Sequence, residues 1–216
     1  MNNLLTDITV LLDRSGSMSV CRSDVLGGLN SFVKKQQEIK TGCVFTLIQF
    51  DSVNSQEKVF DAVDIRKIHE ITEFDPRGGT PLLDAFGRAI VETGKRLREM
   101  PERERPGKVI FVVITDGLEN ASREFKKAQV AEMVKEQQGR YSWDFMFLGA
   151  NMDAIGEGES LGLSFRNSAD FSVNNIGATI AATGVKLATY RMTADKADLN
   201  YTVAERKSFI DNKTNS

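Results

Sequence analysis

The stretch Ile8-Thr9-Val10-Leu11-Leu12-Asp13-Arg14-Ser15-Gly16-Ser17-Met18 decides the fold. Its first half is a short, nearly continuous apolar run, the pattern of a strand buried on both faces. An aspartate ends the run, and a loop of hydroxyls around one glycine follows. Val25, Leu29, Phe32 and Val33 then recur at helical spacing. Strand, polar loop and amphipathic helix make the first half of a βαβ unit, and the same alternation continues down the chain.

Val44 to Phe50 reads as a second strand and Lys58 to Val63 as a shorter, more polar third. The link between them is too short for a parallel crossover, so the third strand is expected to run antiparallel at an edge. Leu83, Phe86, Ile90 and Leu97 mark a helix that begins near Pro81, a residue suited to the first helical position. Val109 to Thr115 is the most hydrophobic strand. A polar helix over Ser122 to Gln138, a strand over Trp143 to Leu148 and a short helix over Asp153 to Leu161 follow. A weak strand over Ala169 to Val173 precedes the last helix, through Ile176, Ile180, Gly184 and Leu187, which ends by Met192. The expected fold is α/β with three layers: a doubly wound, mainly parallel six-stranded sheet, one antiparallel edge strand, and helices on both faces. Residues 1–192 form that domain. Residues 193–216 lose periodicity and read as a polar C-terminal tail with at most one helical turn.

Composition narrows the function classes. The chain has 216 residues, 41% of them hydrophobic, enough to bury a core. Lys and Arg total 28 against 30 Asp and Glu, for a formal charge of −2, which argues against nucleic acid as the partner. The stretch Lys95 to Lys108 is rich in basic residues but interleaved with acids, as in a helix C-terminus and a solvated loop. No apolar stretch approaches the roughly 20 residues of a membrane span. The start, Met1-Asn2-Asn3-Leu4-Leu5, lacks the pattern of a signal peptide, so a cytoplasmic location is expected, in a bacterial cell or in a host cell for a phage protein. Cys21 and Cys43 are too far apart for a Cys-x-x-Cys pair and read as buried hydrophobes. His69 is the only histidine, which leaves tetrahedral zinc and most nucleophilic triads without ligands or bases. Gly156, Gly158 and Gly162 do not make a dinucleotide fingerprint, and no phosphate-binding Gly-x-x-x-x-Gly-Lys loop occurs.

In open α/β sheets the functional crevice lies at the carboxyl ends of the strands. Three loops there stand out: Asp13-Arg14-Ser15-Gly16-Ser17, Gly78-Gly79-Thr80-Pro81-Leu82 and Thr115-Asp116-Gly117. Together they offer the carboxylates of Asp13 and Asp116 and the hydroxyls of Ser15, Ser17 and Thr80, an all-oxygen set suited to a hard divalent cation. Each piece also has a plain reading: Ser15, Ser17 and Thr80 as helix caps, Asp116 as a turn residue. Glu119 and Asn120 stand close enough to line a rim, and Arg14 and Arg77 flank the loops as possible contacts for an acidic ligand.

Asp-x-Ser-x-Ser, then Gly-Gly-Thr-Pro-Leu, then a strand ending Thr-Asp-Gly, resembles the von Willebrand factor A domain with an intact metal-ion-dependent adhesion site. The resemblance covers residues from about 6 to 192 and is nearest to free-standing bacterial and phage members. It implies that Asp13, Ser15, Ser17, Thr80 and Asp116 form the metal site. The two serines and the threonine would bind directly, and the aspartates through water. The implied cation is Mg²⁺, with Mn²⁺ or Ca²⁺ as substitutes, and its open position would take a Glu or Asp of a partner protein. The expected function is therefore a metal-dependent protein-binding module, not an enzyme. Two alternatives stand beside it. One is metal-assisted phosphoryl transfer through Asp13, although Ser15 stands where such enzymes place a second aspartate. The other is a structural component, for example of a phage particle.

Overall fold

The structure is a computed structural model and describes residues 1–150 and 152–211. Six strands form one sheet: β1 (Asn2–Asp13), β2 (Gly42–Phe50), β3 (Glu57–Asp64), β4 (Pro106–Thr115), β5 (Asp144–Ala150) and β6 (Ser168–Phe171). Their order is β3-β2-β1-β4-β5-β6, parallel throughout except for β3, which pairs antiparallel with β2 at the edge. Between β1 and β4 the order of strand addition reverses. Crossovers on either side of that point leave to opposite faces, which opens a crevice at the strand ends.

The helices are α1 (Arg22–Gln37), α2 (Leu82–Glu99), α3 (Lys127–Tyr141), α4 (Ala154–Ser160), α5 (Ile176–Thr193) and α6 (Val203–Ile210). Alternation along β1 feeds two cores. Ile8, Val10 and Leu12 face Val25, Leu29 and Phe32 of α1 and Ile180 and Leu187 of α5. Leu11 points the other way, into a cluster with Phe86 of α2, Phe111 of β4 and Val130 of α3. Both clusters consist of side chains almost wholly removed from water, so the central strand is pinned from both faces. α1 and α5 meet backbone to backbone: a Cβ on Gly28 would stand 2.8 Å from the Gly177 carbonyl oxygen. Among the described residues no helix is long and apolar enough to cross a membrane.

Two expectations are corrected. The polar helix after β4 begins at Lys127, not Ser122, because side chains from elsewhere hold the backbone N–H groups of residues 121–125. Glu119 accepts from Ala121 and Ser122, and Asp84 accepts from Arg123, Glu124 and Phe125. The second correction is larger. Residues 193–216 do not form a loose polar tail as far as they are described. Thr193 ends α5, a 3₁₀ turn spans Lys196–Leu199, and α6 starts on a capping box between Thr202 and Glu205. Leu199, Tyr201 and Phe209 are buried in the α5 side of the core. The Tyr201 hydroxyl lies 2.8 Å from Thr183 Oγ1, and Ser172 N–H donates to the Phe209 carbonyl at 2.9 Å. Three apolar anchors spread over polar sequence suffice to dock the segment. Residues 212–216 lie outside the described residues.

Candidate functional site: hydroxyls and carboxylates at the strand ends

β1 and β4 are neighbours, with Leu12 opposite Ile114, so Asp13 and Thr115 arrive side by side at the sheet edge. Asp13 is 0% exposed, and both of its oxygens are occupied. Oδ2 accepts from Thr115 Oγ1 at 2.6 Å and Oδ1 from the Ser15 N–H at 2.7 Å. Burial pushes its carboxyl up to about 6, against hydrogen bonds that pull it down, and the nearby Asp116 charge adds to the rise. Asp13 thus sits behind the loop and aims it. In front, Ser17 Oγ donates to Asp116 Oδ1 at 2.7 Å, the two serine oxygens are 3.0 Å apart, and Ser15 Oγ is 3.5 Å from the same Asp116 oxygen. Three oxygens from two loops therefore share one small triangle.

Thr80 completes the group. It is 3% exposed, yet its hydroxyl has no hydrogen-bond partner among the described residues. That hydroxyl faces the Asp116–Gly117 turn, since a Cβ on Gly117 would lie 4.0 Å from it. Helix capping does not explain the Ser15 and Thr80 hydroxyls: Ser15 precedes the 3₁₀ turn Gly16–Cys21 without a side-chain cap bond, and the cap position of α2 falls on Pro81, not Thr80. All five expected site residues thus stand on three loops that meet at this edge. Among the described residues no three His, Cys, Asp or Glu side chains gather as a metal cluster, so a cation here depends on hydroxyl oxygens.

A ring of hydrogen bonds holds the Thr80 loop in place. Gly16 N–H donates to the Gly78 carbonyl at 3.0 Å, Arg77 N–H to the Arg14 carbonyl at 2.8 Å, and Ser52 N–H to the Gly79 carbonyl at 3.0 Å. Gly78 has φ +66°, a left-handed conformation that favours glycine. Asn120 binds Thr80 twice: its Oδ1 accepts from Thr80 N–H at 2.9 Å, and its own N–H donates to the Thr80 carbonyl at 3.1 Å. Glu119 accepts from Leu83 N–H at 2.9 Å. Both residues fasten the loop, and Asn120 does so while its side chain stays at the surface, lining the hollow beside Thr80.

Arg14 and Arg77 are not free to meet a ligand. Arg14 is 3% exposed and donates to Asp51 Oδ2 at 2.6 and 2.9 Å and to Glu57 at 2.7 Å. Arg77 donates to the same Asp51 oxygen at 3.1 Å and to Glu57 at 3.4 Å. The roles of three residues escaped the sequence reading: Thr115, which orients Asp13; Asp51, which anchors Arg14; and Asp84, which holds the 123–125 turn. Only Thr115 left a local signal, as the neighbour of Asp116 at a strand end.

No family model and no curated protein matches the sequence. Solved structures do match. Proximal thread matrix protein 1 from the mussel byssus superposes with a TM-score of 0.63 at 15% identity, over 87% of this chain and 49% of that one. A second structure of it, with a zinc-occupied MIDAS motif, gives a TM-score of 0.56 at 15% identity, over 87% and 47%. A von Willebrand factor type A from Catenulispora acidiphila gives 0.57 at 12% identity, over 86% of this chain and 42% of that one. Manganese-loaded TRAP protein from Plasmodium vivax gives 0.53 at 15% identity, over 86% and 75%. The chain spans about half the length of the first of these structures. Strand order, the antiparallel edge and these superpositions together give the chain the von Willebrand factor A fold.

Proposed function

We propose that the chain is a divalent-metal-dependent protein-binding module. Ser15, Ser17 and Thr80 would hold the cation through hydroxyl oxygens, with Asp13 and Asp116 acting through water. The cation would supply an electrophilic position for a Glu or Asp side chain of a partner protein. The observation that carries this reading is the oxygen triangle with the unpartnered Thr80 hydroxyl beside it. In an octahedron with metal–oxygen bonds of 2.0–2.1 Å, neighbouring ligands stand about 2.9 Å apart; for Ca²⁺ the figure is about 3.4 Å. The one observed spacing between two of the proposed direct ligands, Ser15 Oγ to Ser17 Oγ at 3.0 Å, lies nearer the Mg²⁺ or Mn²⁺ figure. A zinc-occupied MIDAS motif and a manganese-loaded protein among structures of the same fold support a divalent ion.

A protein partner fits the loops better than a small anion does. Val20, Val53 and Leu118 are 81%, 73% and 59% exposed, and all three sit on the loops that frame the site. A charge at the centre with apolar side chains around it is the usual anatomy of a protein contact. Phosphoryl transfer through Asp13 is disfavoured, because a fully buried carboxylate with both oxygens hydrogen-bonded cannot reach a phosphorus atom.

Mn²⁺ titration by calorimetry and electron paramagnetic resonance tests the reading, with Thr80→Ala as the variant. Wild type should bind Mn²⁺, and the variant should lose roughly tenfold or more in affinity. Unchanged affinity would remove Thr80 from the site. Turnover of p-nitrophenyl phosphate that vanishes in Asp13→Asn would restore the enzymatic reading.

A further inference from the structure

Beside Thr80, lined by none of the serine-loop residues, lies a groove of about 520 Å³. Its walls come from the β2–β3 loop, the start of α2 and the 120–123 turn, and it includes Pro81 and Asn120, both adjoining Thr80 in space. The lining is polar, but its polarity is one-sided. The side-chain carboxylates and amide oxygens are engaged inside the chain. Asp51 takes two backbone N–H groups on Oδ1 and Arg14 and Arg77 on Oδ2. Asp84 takes the N–H groups of Arg123, Glu124 and Phe125. Burial alone would raise the Asp84 carboxyl, yet those three donors hold it below the usual carboxylate range, so it stays an ion with most of its acceptor sites engaged. Asn54 and Asn120 likewise accept backbone N–H groups on their Oδ1 atoms, from Gln56 and Thr80.

The donors are different. Turned by those same bonds, the side-chain NH₂ groups of Asn54 and Asn120 have no acceptor among the described residues. The hydroxyls of Ser52 and Ser55 accept, from Gly79 N–H and from Arg88, but donate to nothing. Arg88 is held by Glu124, whereas the exposed Arg123 guanidinium has no ion-pair or hydrogen-bond partner among the described residues. A groove whose carboxylates and amide oxygens already accept from the chain, and whose side-chain donors are open, favours an acceptor-rich, anionic ligand.

We infer that this groove is a second acid-binding subsite, in which Arg123, supported by the spare amide and hydroxyl donors, takes a further carboxylate of the same partner segment that gives its first acid to the metal. The ligand class is an extended acidic peptide with two carboxylates a few residues apart. Extended chain advances about 3.3–3.6 Å per residue, so the span sets the preferred spacing. The inference rests on the metal-dependent reading above.

The test uses the full chain loaded with Mn²⁺ and synthetic peptides that carry two Glu residues separated by one to four glycines. Each peptide is compared with its partner in which the second Glu is Gln. Anisotropy should show one spacing binding about fivefold more tightly than its single-acid partner, the size of one exposed charge-assisted contact. Arg123→Ala should erase that preference and Arg123→Glu reverse it, while single-acid binding and Mn²⁺ affinity stay unchanged. The side chain is exposed and its backbone N–H is what Asp84 uses, so both variants should fold. A wild type with no preference at any spacing, or a preference that survives Arg123→Ala, overturns the subsite and leaves the metal reading standing. Failure of the Mn²⁺-loaded protein to bind either kind of peptide overturns both.

Discussion

Asp13 and Asp51 occupy matching places at the ends of adjacent parallel strands. Asp13 pairs with Phe50 in the register, and Asp51 is the next residue along; both side chains are 0% exposed. Their surroundings are opposite. Asp51 has its countercharge inside the chain, in Arg14 and Arg77, and takes two backbone N–H groups besides. Burial pushes it up, but the Asn54 and Val53 N–H groups and Arg14 outweigh that and hold it below the ordinary carboxylate range. Asp13 has hydrogen bonds from Thr115 and Ser15 but no cation, and burial carries it up to about 6. A buried carboxylate is stable when its charge is met and costly when it is not. The first arrangement is finished architecture. The second has no cationic side chain among its hydrogen-bond partners, which suits the proposed metal site.

Removing the internal countercharge pair breaks this contrast most sharply. Asp51→Asn leaves Arg14, 3% exposed, with only the half-exposed Glu57 as an ion partner. Loss of one member of a buried pair costs about 3–5 kcal/mol, and Glu57 should keep this case near the lower end. Urea unfolding should show that loss equally with and without divalent metal. The pH dependence has a definite sign. Arg14 holds Glu57 low, and Asp51 is low as well, so both are easier to ionise in the folded chain than in the unfolded one. The stability they contribute is complete above the ordinary carboxylate values and is lost as the pH falls below about 4. The gap between wild type and Asp51→Asn should therefore shrink in acid; a gap that stays constant to pH 3 would show that the pair contributes through packing, not charge.

Asp13→Asn should behave in the opposite way. The neutral side chain fits a pocket that already disfavours the charge, so metal-free stability should change by less than about 1 kcal/mol. Divalent-metal affinity should fall roughly 100-fold, about 2.7 kcal/mol, as for loss of an outer-shell carboxylate. Thermal unfolding and Mn²⁺ calorimetry on the same samples separate the two effects. A large stability loss without metal would mean that Asp13 is a structural group like Asp51, and the contrast between them would collapse.

How much of this was legible in the sequence depends on how local the determinant is. The apolar run Ile8 to Asp13, the Asp-x-Ser-x-Ser spacing and the Thr-Asp-Gly end of β4 are contiguous, and each folds as expected at the sheet edge. The antiparallel edge strand followed from one loop length. What the residues did not reveal are pairings across long sequence separations: Thr115 on Asp13, Arg14 on Asp51, and Asp84 on the turn at 123–125. Arg14 and Arg77 looked like free cations because their acids lie in β2–β3 and the loop between. The C-terminal segment failed for a related reason. Leu199, Tyr201 and Phe209 follow no helical or strand period, and their burial depends on α5 presenting a face to cover. A periodicity argument registers a continuous stripe and passes over three separate anchors.

The finest test separates the two arginines that touch this edge. Arg77 is half exposed and is the second cation on an Asp51 oxygen that Arg14 already holds at 2.6 Å. An exposed pair of that kind contributes about 0–1 kcal/mol, since water competes for the guanidinium and screens its charge. Arg77→Ala should therefore cost less than about 1 kcal/mol in urea unfolding, far below the effect of Asp51→Asn. Its hydrogen bond to the Arg14 carbonyl comes from the backbone and survives the substitution, so the Thr80 loop should keep its place. The variant should also keep any preference for a two-acid peptide, because Arg77 is already committed to Asp51 and Glu57 while Arg123 is not. A loss as large as that of Asp51→Asn would make Arg77 an equal part of the countercharge. A lost peptide preference would move the acid-binding role from the 120–123 turn to the Arg77 loop.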